Sequence, residues 1–129
     1  TKPHDTGLTL LDRSISVILT HPDETASKRD NISPSVERLH RLHGTSIIFD
    51  VSKLLDLGAS TYATACTMFH RFYQQASLID HDVWSVALAS IMLATKVEEE
   101  TQILKTIIHA FCHVHRKRAL IADDTTLTE

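Results

Sequence analysis

Val83-Trp84-Ser85-Val86-Ala87-Leu88-Ala89-Ser90-Ile91-Met92-Leu93-Ala94-Thr95-Lys96-Val97 decides the fold, because its only polar side chains are Ser85, Ser90, Thr95 and Lys96. A helix that is apolar on every side has to be enclosed by other helices. Ala87, Ala89 and Ala94 are small enough for neighbouring axes to come close. Asp80 or Asp82 can cap its start. Its uncharged part, about 13 residues from 83 to 95, is too short to span a bilayer. The stretch therefore predicts a buried central helix, about 83–97, in an all-α bundle.

Three amphipathic patterns surround this hub. Ser33 followed by Pro34 marks a helix start, and Val36, Leu39, Leu42, Ile48, Val51 and Leu55 make an apolar stripe, with Gly58 as a left-handed stop. Gly44 lies inside that pattern, which predicts either a bend or the close approach of another backbone. From Ser60 to Ala76, Ala65, Phe69, Phe72 and Ala76 recur at helical spacing, widened by Tyr62, Cys66 and Tyr73. After a Thr101 cap, Ile103, Leu104, Ile107, Ile108 and Phe111 predict the last buried face, closed by Arg116, Lys117 and Arg118 at the C-terminal end. A fifth helix of comparable length is not evident. Upstream, Leu8, Leu11, Ile15, Ile18 and Leu19 predict a short helix, and the polar run 21–31 a surface linker. The domain limits are thus 1–31 for an N-terminal segment, 32–118 for the helical domain and 119–129 for a tail.

Composition agrees with the pattern. Among 129 residues there are 3 Gly and 3 Pro, too few for the frequent turns of a sandwich or barrel, and 43% are hydrophobic, too many for a disordered chain. A net charge of -3 gives no global basic field toward nucleic acid or an anionic membrane. Cys66 and Cys112 lie in apolar helical patterns and read as buried, reduced thiols of an intracellular protein. No signal peptide is recognisable, and an opening Thr1 reads as an excised fragment.

Chemistry-bearing motifs are sparse. Three isolated glycines make no phosphate loop, and no nucleophile motif appears. Glu98, Glu99 and Glu100 are adjacent, so on a helix they splay apart rather than pair for acid–base work. His109, Cys112, His113 and His115 share one helix, but no second motif completes a zinc site. Arg116-Lys117-Arg118 is a small basic run without interleaved aromatics. No catalytic residue, metal ligand or cofactor is assigned.

Three segments together resemble the cyclin box. Ala63-Thr64-Ala65-Cys66-Thr67-Met68-Phe69-His70-Arg71-Phe72-Tyr73 is similar to the second box helix of transcription-type cyclins. Val86 through Glu99 resembles their third helix, which ends in Lys followed by a Glu pair. Ile48-Phe49-Asp50-Val51 matches a run in cyclin K-like proteins, and Ile107-Ile108-His109-Ala110-Phe111 resembles the fourth helix of cyclin L- and cyclin Q-like proteins. The resemblance covers 32–118. His70 stands where cell-cycle cyclins have aspartate and transcription-type cyclins histidine.

The resemblance implies a nuclear regulatory subunit, not an enzyme, that binds the small lobe of a cyclin-dependent kinase, presses its C-helix inward and so activates it in transcription or splicing. It assigns Lys96 to the kinase main-chain carbonyls beside that helix, with Glu98 and Glu99 at the rim of the docking surface. An ammonium suits this task, with three donors and no acceptor. Trp84, Phe69 and Phe72 are expected in or near the core. An alternative is the same fold used as a protein- or DNA-binding scaffold, as in transcription factor IIB, which would need a broad basic face. A third is a helical metalloenzyme around His109, Cys112 and His113. The chain departs from the family in lacking a recognisable fifth helix, with its lysine-partnering glutamate, and a second box. An incomplete box predicts uncovered apolar surface and, with it, either self-association through helix exchange or dependence on missing sequence; residues 8–19 are a candidate to lie across the hub where the fifth helix would go.

Overall fold

The computed structural model describes residues 25–127, and the expected helix within 8–19 lies outside them. Among the described residues five helices follow one another: α1 (Ala26–Arg29), α2 (Pro34–Leu54), α3 (Ala59–Gln75), α4 (Val83–Val97) and α5 (Leu104–Leu127). The all-α architecture around a central helix is as the sequence predicts. α4 packs against α2, α3 and α5, and its Val83, Val86, Ala87, Ser90, Ile91, Ala94 and Thr95 are buried. The hydroxyls of Ser90 and Thr95 cost little there, because they donate to the Val86 and Met92 carbonyls at 2.7 and 2.9 Å. Among the described residues no helix covers the fourth side of the hub, where Ala89, Leu93 and Val97 are exposed.

Helix ends are set by local chemistry. Ser33 Oγ accepts from the Val36 N–H at 3.3 Å, with Pro34 at the first helical position. Of the two candidate aspartates, Asp82 caps α4, accepting from the Trp84 and Ser85 N–H groups at 3.2 and 3.1 Å. Gly58 is not the left-handed stop of α2. That conformation belongs to Asp56 (φ 53°), and the Leu57 N–H closes back onto the Ser52 carbonyl at 2.9 Å. Gly58 instead precedes α3 with φ -66°. Thr101 is not a cap either: α5 starts later, with the Ile103 carbonyl accepting from Thr106 and Ile107. That helix also runs on to Leu127, so Arg116-Lys117-Arg118 lies within it and does not neutralise its end.

The stripe that α2 buries differs from the apolar one read from sequence. Val36, Leu39 and Leu42 are exposed, whereas Glu37, Gly44, Ile47, Ile48, Val51 and Ser52 are buried. The cause is a polar lock at the N-terminal half. The Glu37 carboxylate accepts from Thr25 Oγ1 at 3.0 Å and from Arg41 at 3.1 and 3.2 Å. Arg41 in turn donates to His70 Nδ1 at 3.0 Å and to the His70 carbonyl at 3.2 Å. A buried ion pair is tolerated when its remaining donors and acceptors are used, as here. The same economy corrects the surface-linker expectation for 21–31 over its described part, 25–31. Thr25 and Ser27 are buried, and Ser27 Oγ accepts from the Leu78 N–H at 3.0 Å, tying α1 to the loop after α3.

Below this lock the interior is apolar. Phe69 and Tyr73 are the largest fully buried side chains, set edge to face with centroids 5.1 Å apart. Gly44 admits the Phe69 ring, and a Cβ there would overlap Phe69 Cζ and both adjoining ring carbons. The close approach is made by an aromatic side chain, not by a backbone. Phe72, expected near the core, sits at the rim against His81, while Trp84 is half-buried between His43 and His115. On α5 the buried face is Ile107, Ala110, Phe111 and Val114, leaving Ile103, Leu104 and Ile108 exposed.

Two outcomes follow from these contacts. Gly44→Ala gains about 1 kcal/mol of helix propensity but forces the Phe69 ring aside. The net effect expected in urea unfolding is a loss of roughly 1–3 kcal/mol, with Phe69→Leu in the same chain recovering part of it. His70 is held below its usual pKa by burial and then by the Arg41 guanidinium, and His43 by burial, Arg118 and His40. The unfolded chain then takes up protons first, so this stability is complete above about pH 6.5 and is lost as pH falls from there toward the folded-state values. Urea midpoints should therefore drop between about pH 7 and 5.5, and less steeply in His70→Gln.

Candidate protein-docking site

Lys96 stands exposed in the last turn of α4. The chain reverses immediately after it. Glu99 takes a left-handed conformation (φ 54°), its N–H reaching the Lys96 carbonyl at 3.3 Å, and the Glu100 N–H closes onto the Thr95 carbonyl at 2.9 Å. An ammonium at this end is favoured by the helix dipole, and the tight reversal keeps downstream chain from running on over it.

Two of the three following glutamates are committed to α3. Glu98 Oε1 accepts from Thr64 Oγ1 at 2.7 Å. The Glu100 carboxylate accepts from the Gly58 N–H at 2.9 and 3.1 Å and from the Thr61 hydroxyl. Gly58 has no side chain to cap α3, so Glu100 supplies from across the fold the negative charge that a helix start favours. Sequence reasoning assigned Glu98 and Glu99 to the docking rim and gave Glu100 no structural role. In the structure Glu98 faces Thr64, Glu99 is exposed at the tip, and Glu100 is the clamp.

Apolar surface flanks the lysine. Leu93, one turn back, is 54% exposed and Val97 60%, and Ile103 after the reversal is 75% exposed. Leu104 and Ile108 continue as exposed apolar positions along the first turns of α5. Neither Leu93 nor Val97 was singled out by sequence reasoning. The available signal was the hub pattern itself, which has more apolar positions than three neighbours can cover.

The remaining candidates are dispersed. His115 lies edge-on to Trp84 at 4.9 Å, while His109, Cys112 and His113 are exposed. Among the described residues no three His, Cys, Asp or Glu side chains gather where they could hold a metal ion. Cys66 is half-buried and burial pushes its thiol pKa up, whereas Cys112 is exposed, contrary to its reading as a buried thiol. Its position on α5 falls just outside the Phe111 and Val114 face. Arg118 pairs with Asp50 at 2.7 Å and donates to Ser46 Oγ at 2.8 Å, joining α5 to α2. Among the described residues no helix is long and apolar enough to cross a membrane.

Comparison with known proteins now gives the geometry a family. The family described as "Cyclin, N-terminal domain" matches residues 14–127. The chain is 35% identical over 103 residues to cyclin pch1 of Schizosaccharomyces pombe, covering 79% of this chain and 30% of that protein. It is 31% identical over 122 residues to human cyclin-L1, covering 87% of this chain and 23% of that protein, and 34% identical over 95 residues to cyclin-L1-1 of Oryza sativa, covering 74% and 22%. The chain thus spans less than a third of these three relatives. The family match continues past Arg118 along α5 and reaches back to residue 14. On the family match and the helical architecture together, this chain belongs to the cyclin family, whose members are regulatory proteins rather than enzymes, and it carries the family's transcription-type cyclin box.

Proposed function

We propose that this chain is the kinase-docking module of a regulatory subunit and that its α4 tip binds and activates a cyclin-dependent kinase linked to transcription or splicing in the nucleus. The observation carrying this reading is the state of Lys96: an exposed ammonium flanked by Leu93 and Val97, while Glu98 and Glu100 are held by α3. Three N–H donors on a flexible stem can reach main-chain carbonyls at the kinase C-helix, and the two aliphatic side chains supply apolar area around them. Glu99 at the exposed tip and Glu98 beside Thr64 shape the rim.

The energetic role is a population shift. A kinase whose C-helix moves between an outward and an inward position is activated by whatever binds the inward form better. The inward position completes the Lys–Glu pair that orients the ATP phosphates. A rigid tip serves this task better than a mobile one, because little entropy is lost on docking. The clamp of Glu100 onto Gly58 and Thr61 supplies that rigidity.

The test is capture from nuclear extract by the immobilised chain, with kinases identified by mass spectrometry and by phosphorylation of a peptide substrate. A cyclin-dependent kinase should be retained by the parent chain and lost by roughly tenfold or more with Lys96→Glu, which sets a carboxylate against carbonyl oxygens. Lys96→Glu should keep the parent circular dichroism, since Lys96 is exposed, and should lose no more than about 1 kcal/mol of stability in urea through the helix dipole. Retention of the kinase by Lys96→Glu, or no kinase captured by the parent chain, would overturn the assignment.

A further inference from the structure

A groove of about 620 Å³ opens between the C-terminal half of α2 and α5, and it shares no residue with the Lys96 surface. Lys53 and Leu54 line one bank, and His113, Lys117 and Ile121 the other, with Val114 buried beneath. Leu54 and Ile121 are both exposed. Arg118 also lines it, paired with Asp50. The lining therefore carries three fixed cations against one carboxylate, on a chain whose net charge is -3. That is a local inversion of sign combined with aliphatic area.

Lys53 sits over the Phe49 ring at 5.4 Å on the outer side of α2, and Lys117 is exposed. Arg118 spends one terminal nitrogen on Asp50 and Ser46, and its Nε–H, shielded from water, has no acceptor. A buried donor without an acceptor is uncommon in a folded protein. Lys53 and Lys117, which make no ion pair among the described residues, stand next to leucine and isoleucine side chains left in water, and together they fit a segment carrying the opposite charge and its own apolar side chains.

We propose that this groove is a second protein-docking site, one that takes an acidic peptide segment with an apolar side chain seated between Leu54 and Ile121 and carboxylates facing Lys53 and Lys117. Affinity for such a segment falls with added salt, because the cations on the banks are exposed.

The probe is a short fluorescein-labelled peptide in which glutamates flank one leucine and one phenylalanine, titrated with the whole chain and followed by fluorescence anisotropy. Binding should weaken by about tenfold or more in Lys53→Glu combined with Lys117→Glu, and should be unchanged in Lys96→Glu, which separates this site from the kinase-docking reading. A peptide with lysines in place of the glutamates should not bind. Circular dichroism of the double variant establishes that it is folded. If it is not, Leu54→Ser with Ile121→Ser takes its place, and the same loss is expected. The proposal fails if the glutamate peptide does not bind the parent chain, binds the charge-reversed chain equally, or binds no better than its lysine counterpart. It fails too if sedimentation shows the groove closed by a second copy of the chain.

Discussion

The carboxylate of Glu100 on the Gly58 N–H and the Thr61 hydroxyl is the contact on which the proposed docking tip depends. It joins the end of the central helix to the start of α3, two points 42 residues apart in the chain. A helix start without a side-chain cap and a helix end that must stop abruptly are each unfavourable alone. Here one residue serves both: the Glu100 carboxylate takes the Gly58 N–H, its own N–H closes onto the Thr95 carbonyl, and the reversal at Glu99 brings it into place. With Glu98 held by Thr64 as well, the segment leaves Lys96 at a fixed point on the surface.

The interior serves the same end by a different route. Phe69 fits onto Gly44 because glycine has no Cβ, and this lets α2 and α3 approach where a side chain would hold them apart. Trp84 joins α4 to His43 of α2 and His115 of α5, and the Arg118–Asp50 pair ties α5 to α2 again. The hub is thus held by aromatic contacts from α2 and α5, with α3 packed on a third side. The open side, with Leu93 and Val97, is the side on which Lys96 is presented.

Hydropathy made the hub legible, because Val83–Val97 is so apolar that only a central position suits it. It misplaced the inner face of α2 for an equally physical reason. Glu37 and Arg41 occupy inward positions and satisfy each other, while Leu39 and Leu42 face water. No periodicity separates a buried ion pair from a solvated one, since the difference lies in what the partner helix offers, here His70. Asp56 and Glu99 in left-handed conformations were likewise invisible, because that conformation is expected of glycine and only the closing backbone bonds hold it elsewhere. The resemblance pointed to Lys96 at once. Glu100 could be recognised only from the fold, its partners lying on another helix.

The most direct test of the account is a structure of this chain bound to the kinase it captures. The Lys96 ammonium should lie about 3 Å from main-chain carbonyl oxygens beside the kinase C-helix, with Leu93 and Val97 covered and Glu100 still on Gly58. A complex that leaves Lys96 in solvent, or joins the kinase through another face while the α4 tip stays bare, would contradict it.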